Sequence, residues 1–196
     1  MDNIDEHTAN MDKLNQLFNQ VKRQNFLPDY VQQDAALDIP LPIGYGQTCS
    51  QPSTVKLMLG WLDAGTGNIV LDVGSGSGWT AALLSRIVGS KGHVYAVDRL
   101  KELVEFGSAN CRRVGVTNAN FYLVEKELGL SKHAPYDRIL VSAAYHEVPQ
   151  ELLNQLKPHG KMVIPVGDNL LEITKLSTHS VDTIIHPGFV FVALVK

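Results

Sequence analysis

Cysteine is scarce in this sequence. Cys49 and Cys111 are the only two, and no Cys-x-x-Cys pair occurs. A disulfide framework is therefore excluded, and a reducing, cytoplasmic setting is expected. Runs of one charge are also missing. No basic stretch exceeds Lys22-Arg23 or Arg112-Arg113, and the formal net charge is −3. That balance speaks against a nucleic acid or a membrane as partner, since both call for a basic face. The longest apolar stretch, residues 188–195, is only strand-length, far short of a bilayer span. Residues 1–10 carry three acids and a histidine with no apolar core segment, so no secretory leader is expected there. The seven histidines show no metal spacing, and His146-Glu147 lacks the second histidine of a zinc-protease helix. No metal is expected, and no obligate protein partner is evident. Internal repeats and low-complexity segments are absent as well.

What is present suits one ordinary domain: 196 residues, 44% hydrophobic and 19% charged. Met11, Leu14, Leu17, Phe18 and Val21 follow helical spacing, which predicts a short amphipathic helix behind a disordered tip. Residues 26–53 form a long connection with four prolines and the close pair Gly44 and Gly46. Connections of that length without regular structure are usually functional or disordered. A helix from about Ser53 to Leu62 follows, with Ser53 as its expected N-cap. The chain then alternates: strand 68–73, helix 79–88, strand 93–98, helix 101–114, strand 120–124, strand 138–142, helix 150–156, strand 161–165. Such alternation predicts an open, mostly parallel, doubly wound α/β sheet with right-handed crossovers. Residues 170–177 and 189–195 are separated by a turn-like connection, and predict a C-terminal antiparallel hairpin.

The most informative segment is Ile69-Val70-Leu71-Asp72-Val73-Gly74-Ser75-Gly76-Ser77-Gly78. A buried strand runs into glycines that let the backbone turn sharply and approach a ligand. In an open α/β sheet the ligand crevice lies at the carboxyl ends of the strands, where this loop falls. Gly76-x-Gly78-x-x-Ala81 satisfies a loose dinucleotide fingerprint, whereas no Lys-Ser or Lys-Thr follows to make a phosphate-binding P-loop. Asp72 helps to choose. A carboxylate two residues before the first glycine would repel a pyrophosphate and would favour a cationic guest. Asp98 ends the next strand, where an acid can take both hydroxyls of a ribose. That role serves NAD equally well. The plain structural alternative is a tight turn with Asp72 as its cap.

The run Leu71–Gly78 resembles the first motif of class I methyltransferases. More specific is Leu41-Pro42-Ile43-Gly44-Tyr45-Gly46-Gln47-Thr48-Cys49-Ser50-Gln51-Pro52, which resembles the segment that protein-L-isoaspartate O-methyltransferases place ahead of that motif. The likeness extends through His133-Ala134-Pro135-Tyr136-Asp137, Leu152–Pro158 and Ile164-Pro165-Val166-Gly167 to Phe191-Val192-Ala193-Leu194, roughly residues 24–195. It implies a Rossmann-like class I methyltransferase domain over residues 54–196, preceded by an N-terminal helix and substrate-loop extension over 1–53. It also implies S-adenosyl-L-methionine as cofactor and S-adenosyl-L-homocysteine as product. Peptides and proteins bearing isoaspartyl residues would be the substrates. Ser50 falls on the hydroxyl regarded as the family's active-site residue. Asp72, Gly74, Ser75, Gly76, Asp98, Arg99 and Glu125 fall on cofactor-binding positions. Ile43, Gly44, Gln47 and Thr48 fall on the loop that shapes the substrate groove.

Three departures stand out. Val124-Glu125-Lys126 replaces the usual Gly-Asp-Gly, whose acid contacts the adenine; Glu125 could keep that contact with a longer arm, but Lys126 costs the backbone freedom. Only about one helix precedes Phe26-Leu27-Pro28, where the family usually has one segment more. The usual Phe-Val-Pro-Leu reads Phe191-Val192-Ala193-Leu194.

Methyl transfer from a sulfonium to a carboxylate needs no general base, because a carboxyl of pKa about 4 is already ionised at neutral pH. Orientation is the main requirement. Ser50 is then expected to orient the acceptor by hydrogen bonding, the alternative being a turn residue that caps the following helix. Cys49 reads as a small buried side chain, and Trp79 as packing at the start of its helix, with a place beside the cofactor as the alternative. Other readings stay open: a different methyl acceptor, a non-catalytic relative, or nicotinamide-dependent redox chemistry.

Overall fold

A computed structural model describes residues 12–178 and 180–192. Helix α1 covers residues 12–20 and buries Leu14 and Leu17, as the periodicity requires. Met11 and the tip over residues 1–10 lie outside the described residues. The connection that follows is more regular than expected. It holds 3-10 turns at Arg23–Phe26 and Asp29–Asp34 and a small antiparallel hairpin of β1 (Leu41–Gly44) and β2 (Gln47–Cys49). Helix α2 (Pro52–Leu62) starts one residue earlier than predicted. Its N-cap is Gln51, and the Ser53 amide is taken by the Asp38 carboxylate at 2.8 Å. A side chain from the preceding loop thus satisfies a helix-start donor that no local residue meets.

The alternating part keeps the expected order, although the strand expected from 161 begins at Leu156, five residues earlier, and takes over the last residue of the expected helix 150–156. Strand β3 (Ile69–Val73), α3 (Trp79–Val88), β4 (His93–Asp98), α4 (Lys101–Arg113), β5 (Ala119–Leu123), β6 (Tyr136–Val141), α5 (Gln150–Gln155) and β7 (Leu156–Val166) follow in turn. The sheet order is β5-β4-β3-β6-β7-β8-β9, with β3 to β7 parallel. Strands β8 (Asn169–Ser177) and β9 (Ser180–Pro187) are antiparallel additions. The C-terminal hairpin therefore exists, but its second arm is Ser180–Pro187, not residues 189–195. Of the latter, residues 193–195 lie outside the described residues, and 189–192 form no strand. The physical reason is proximity. A tight turn after Ser177 lets the next residues pair at once, and loop-closure entropy favours that short return. Gly188 and Phe189 then donate to the Asp168 carbonyl, which sends the chain back over the sheet.

Each sheet face has its own core. Val70, Val94, Ala96 and Leu140 face α1 to α4, while Leu71, Val73, Val97 and Ile139 face the thinner cover made with α5. Successive strand residues alternate between the two. Asp137 ties the start of β3 to β6 by accepting from the Ile69 amide at 2.8 Å, and Tyr136 donates to the Leu130 carbonyl at 2.6 Å. Among the described residues no helix is long and apolar enough to cross a membrane. Strand order reverses between β3 and β6, so the crevice at their carboxyl ends is where this architecture binds ligands.

Candidate active site

A cavity occupies that crevice. Its walls come from the β3–α3 loop, the ends of β4 and β6, residues 124 and 126–129 after β5, the β1–β2 hairpin, and Val192. The loop geometry follows from its glycines. Gly78 has φ +83°, and a Cβ there would stand 2.7 Å from the Gly107 carbonyl oxygen. Gly107 in turn has no room for a Cβ, which would meet the Gly76 carbonyl oxygen at 2.8 Å. Two bare backbones thus touch, and α4 packs directly against the loop. Val97's carbonyl accepts from both Gly74 and Ser75 amides, at 2.9 and 3.1 Å.

Asp98 finishes the fastening. One carboxylate oxygen accepts from the Gly76 amide at 3.0 Å and the other from the Leu100 amide at 3.1 Å. A carboxylate offers about four acceptor positions, so it can still receive two hydroxyls. Asp98 lines the cavity and is 8% exposed. Asp72 is different. It is wholly buried behind the cavity wall and is not part of the lining. One oxygen accepts from the Thr80 hydroxyl at 2.7 Å, and the other has no hydrogen-bond partner among the described residues. Burial, with the nearby Asp98 charge adding to it against the Thr80 hydrogen bond, pushes the Asp72 carboxyl up to about 7. Such a group favours a positive charge placed on the cavity side. Asp72 does not cap the turn through a backbone amide, the plain alternative considered from sequence.

Ser50 follows β2 directly, is half-buried and lines the same cavity. It does not cap α2, whose N-cap is Gln51; the Gln51 side chain accepts from no helix-start amide and instead donates to the Ser53 hydroxyl at 3.0 Å. Cys49 beside it is buried, and burial pushes its thiol up, which disarms it as a nucleophile. Ile43, Gln47 and Thr48 line the cavity with Ser50; Gly44 does not, because it lies at the hairpin's turn with φ +93°. Gly74, Ser75, Gly76 and Arg99 line it. The structure does not bring Glu125 into this cavity. Its side chain is exposed, and Arg99 donates to its backbone carbonyl at 2.8 Å. Lys126, Glu127 and Leu128 meet the cavity in its stead.

Sequence reading passed over several lining residues. Ser142 and Tyr145 follow β6, and the carboxyl-end rule that singled out Asp98 applies to them equally. Tyr145's phenol is buried without a hydrogen-bond partner among the described residues. Trp79, expected to pack at the start of its helix with a place beside the cofactor as the alternative, does both: it lines the cavity, its indole donates to the Val21 carbonyl at 3.0 Å and its ring meets Phe18 edge-on. Val192 had no local signal, because only the chain's return over the sheet brings it there.

The donor set fits S-adenosylmethionine. The unpartnered Asp72 oxygen suits a cationic ammonium or sulfonium nearby, and Asp98 suits the ribose hydroxyls. Val97, Leu100, Val124 and Leu128 offer apolar walls to a flat base. A diphosphate would instead sit against the Asp98 carboxylate, with Asp72 buried behind the wall. Among the described residues no group of three His, Cys, Asp or Glu could hold a metal ion.

Comparison with known proteins agrees. The family described as Protein-L-isoaspartate(D-aspartate) O-methyltransferase matches residues 1–196. Protein-L-isoaspartate O-methyltransferase of Fervidobacterium nodosum is 39% identical over 183 residues, 93% of this chain and 92% of that one. The Pyrococcus horikoshii protein of the same name is 42% identical, over 94% of this chain and 85% of its own. Among solved structures, a protein-L-isoaspartate O-methyltransferase superimposes with TM-score 0.83 at 26% identity, covering 97% of this chain and 66% of that longer one. A Plasmodium falciparum structure described as a putative protein-L-isoaspartate O-methyltransferase in complex with S-adenosyl-L-homocysteine gives TM-score 0.75 at 25% identity. It covers 97% of this chain and 98% of its own.

Proposed function

The chain belongs to the protein-L-isoaspartate(D-aspartate) O-methyltransferase family, and we infer from that membership and its cavity how it works. It is an S-adenosylmethionine-dependent carboxyl O-methyltransferase. It methylates the free carboxylate of L-isoaspartyl, or D-aspartyl, residues in damaged proteins and peptides, the step that initiates their repair. S-Adenosylmethionine, when bound, supplies an activated methyl group on a cationic sulfur.

The chain's own residues then have three tasks. Asp72 provides negative charge behind the Gly74–Gly78 loop and favours the cationic guest. Asp98 fastens that loop and keeps acceptor positions open for ribose hydroxyls. Gly74, Ser75 and Gly76 bring backbone close to the guest, and Arg99 flanks it from the end of β4. Ser50 orients the acceptor carboxylate by donating its hydroxyl hydrogen, and Ile43, Gln47 and Thr48 shape the adjoining wall. No group needs to remove a proton, because the acceptor is already ionised. Catalysis is then chiefly alignment, which can contribute several kcal/mol, of order 7 or more in favourable cases.

The observation that carries this reading is the shared cavity, which has Ser50 on the hairpin side and Asp98 with the glycine loop on the other. Within it, residues 1–53 serve as the acceptor-side extension and residues 54–196 as the cofactor-binding domain. The two buried free thiols suit a reducing cytoplasm, and the substrates are proteins and peptides rather than nucleic acids or membranes. The test is incubation with labelled S-adenosylmethionine and an isoaspartyl peptide. Base-labile methyl ester is the expected product. A protein that binds S-adenosylhomocysteine but forms no ester above a heat-killed control would reject the assignment.

A further inference from the structure

Arg23 is buried, at 5% exposure, yet no carboxylate lies in ion-pair range of it among the described residues. A buried guanidinium is costly unless its donors are met. Here backbone carbonyls meet both terminal nitrogens: Leu37 accepts from Nη1 at 3.1 Å, and Ile39 and Cys49 accept from Nη2, each at 2.8 Å, while Nε has no hydrogen-bond partner among the described residues. Its central carbon also stands 5.6 Å from the centre of the Trp79 ring, a favourable place for a cation. Asp38, between Leu37 and Ile39, reaches the other way. Its carboxylate accepts from the Ser53 amide at 2.8 Å and from the Gln51 side-chain amide at 3.1 Å. Residues 37–39 therefore hold Cys49 on one side of Ser50, through Arg23, and Gln51 with Ser53 on the other, through Asp38. The Ser50 hydroxyl makes no hydrogen bond among the described residues. The frame grips the backbone on both sides and leaves that hydroxyl free.

We propose that Arg23 and Asp38 are positioning residues for the methyl acceptor, which act by setting where Ser50 stands. The inference rests on the reading of Ser50 given above. Neither residue lines the cavity, so neither is assigned contact with acceptor or cofactor. Their effect passes through the peptide units on either side of residue 50. Lysine at position 23 would keep the charge but not the planar fork that spans three carbonyls. Alanine at position 38 would release the Ser53 amide.

The test is a double-mutant cycle on the full chain: Ser50→Ala, Asp38→Ala, Arg23→Lys and the two doubles with Ser50→Ala. S-Adenosylhomocysteine affinity is measured by calorimetry, kcat and KM with an isoaspartyl peptide, and amide exchange at Ser53 by hydrogen–deuterium labelling. Expected for Asp38→Ala are Ser53 exchange faster by about tenfold, kcat/KM lower by about tenfold, and cofactor-product affinity within about twofold of the parent. Arg23→Lys is expected to act on kcat/KM in the same direction. In the Ser50→Ala background either substitution should lose most of its effect, because the group it positions is gone. Additive losses, or equal loss of S-adenosylhomocysteine binding, would overturn the proposal. If Arg23→Lys folds poorly, the exposed Asp38 site decides alone. A Ser50→Ala protein with unchanged kcat/KM would sink the reading of Ser50 itself. A damaged Ser50→Ala enzyme beside intact Asp38→Ala and Arg23→Lys would sink only the frame.

Discussion

The two walls of the cavity are built on different principles. The cofactor wall is regular: parallel strands end in register, glycines turn the chain, and one acid, Asp98, ties loop to helix. The acceptor wall is a stretch of short turns and a three-residue strand, held by one buried arginine and one exposed aspartate. Backbone ladders and close glycine contacts carry most of the first, with Asp98 as its one side-chain tie. The second has few ladder bonds, so single side chains decide its shape. The lesson is that a few substitutions outside the cavity should separate acceptor handling from cofactor binding, whereas the cofactor wall should fail only as a whole.

Gly78→Ala should break the cofactor wall most completely. Its Cβ would press into Gly107's backbone at a positive φ, so neither strain nor clash can relax cheaply. A stability loss of about 2–4 kcal/mol is expected by urea denaturation, with S-adenosylhomocysteine binding lost. Next in size, Ser50→Ala should lower kcat/KM for an isoaspartyl peptide by about 10- to 100-fold, the worth of a hydrogen bond to a charged group. Cofactor-product affinity measured by calorimetry should stay the same, which is what distinguishes the walls.

A third outcome concerns pH. The Asp72 carboxyl is raised from 3.8 to about 7 in the fold. Between those values the folded protein holds a proton that the unfolded chain has released. Asp72's own contribution to the stability of the cofactor-free protein is therefore fully present below the lower value, falls as pH rises through the window, and is lost above about 7. A cationic guest drives that proton off. S-Adenosylhomocysteine affinity should weaken below pH 7 by up to about tenfold per unit and be flat above it. Calorimetry across this range checks the slope, and Asp72→Asn should remove it. The smallest effect is expected at Glu125, whose side chain is exposed and outside the cavity. Glu125→Gln should change S-adenosylhomocysteine affinity by less than about twofold; a tenfold loss would bring that side chain back to the adenine.

Legibility in the sequence follows the same division. Strand 93–98 and helix 79–88 were read to the residue, because apolar periodicity and glycine punctuation are local signals. The hairpin partner is less legible. Residues 180–187 alternate no cleaner than 189–195, and β9 is an exposed edge strand whose burial pattern carries little signal. Ser50, Asp72 and Asp98 were picked out by motif and strand end. Glu125 was placed in the site by likeness alone, and the path of the loop after β5 took it elsewhere. Tyr145 is open to the same rule as Asp98, but no motif marks it as a site residue.

The sequence by itself determined the alternating α/β order, the glycine turn after the first parallel strand, and the acid at the end of the next. All of these follow from neighbours a few residues apart. Only tertiary structure decided that Arg23, Asp38, Ser50 and Val192 act around one cavity. Their contacts cross the intervals from 23 to 49 and from 38 to 53, and the return of the chain over the sheet. A contact between distant residues depends on how the whole core packs, and no periodicity records it.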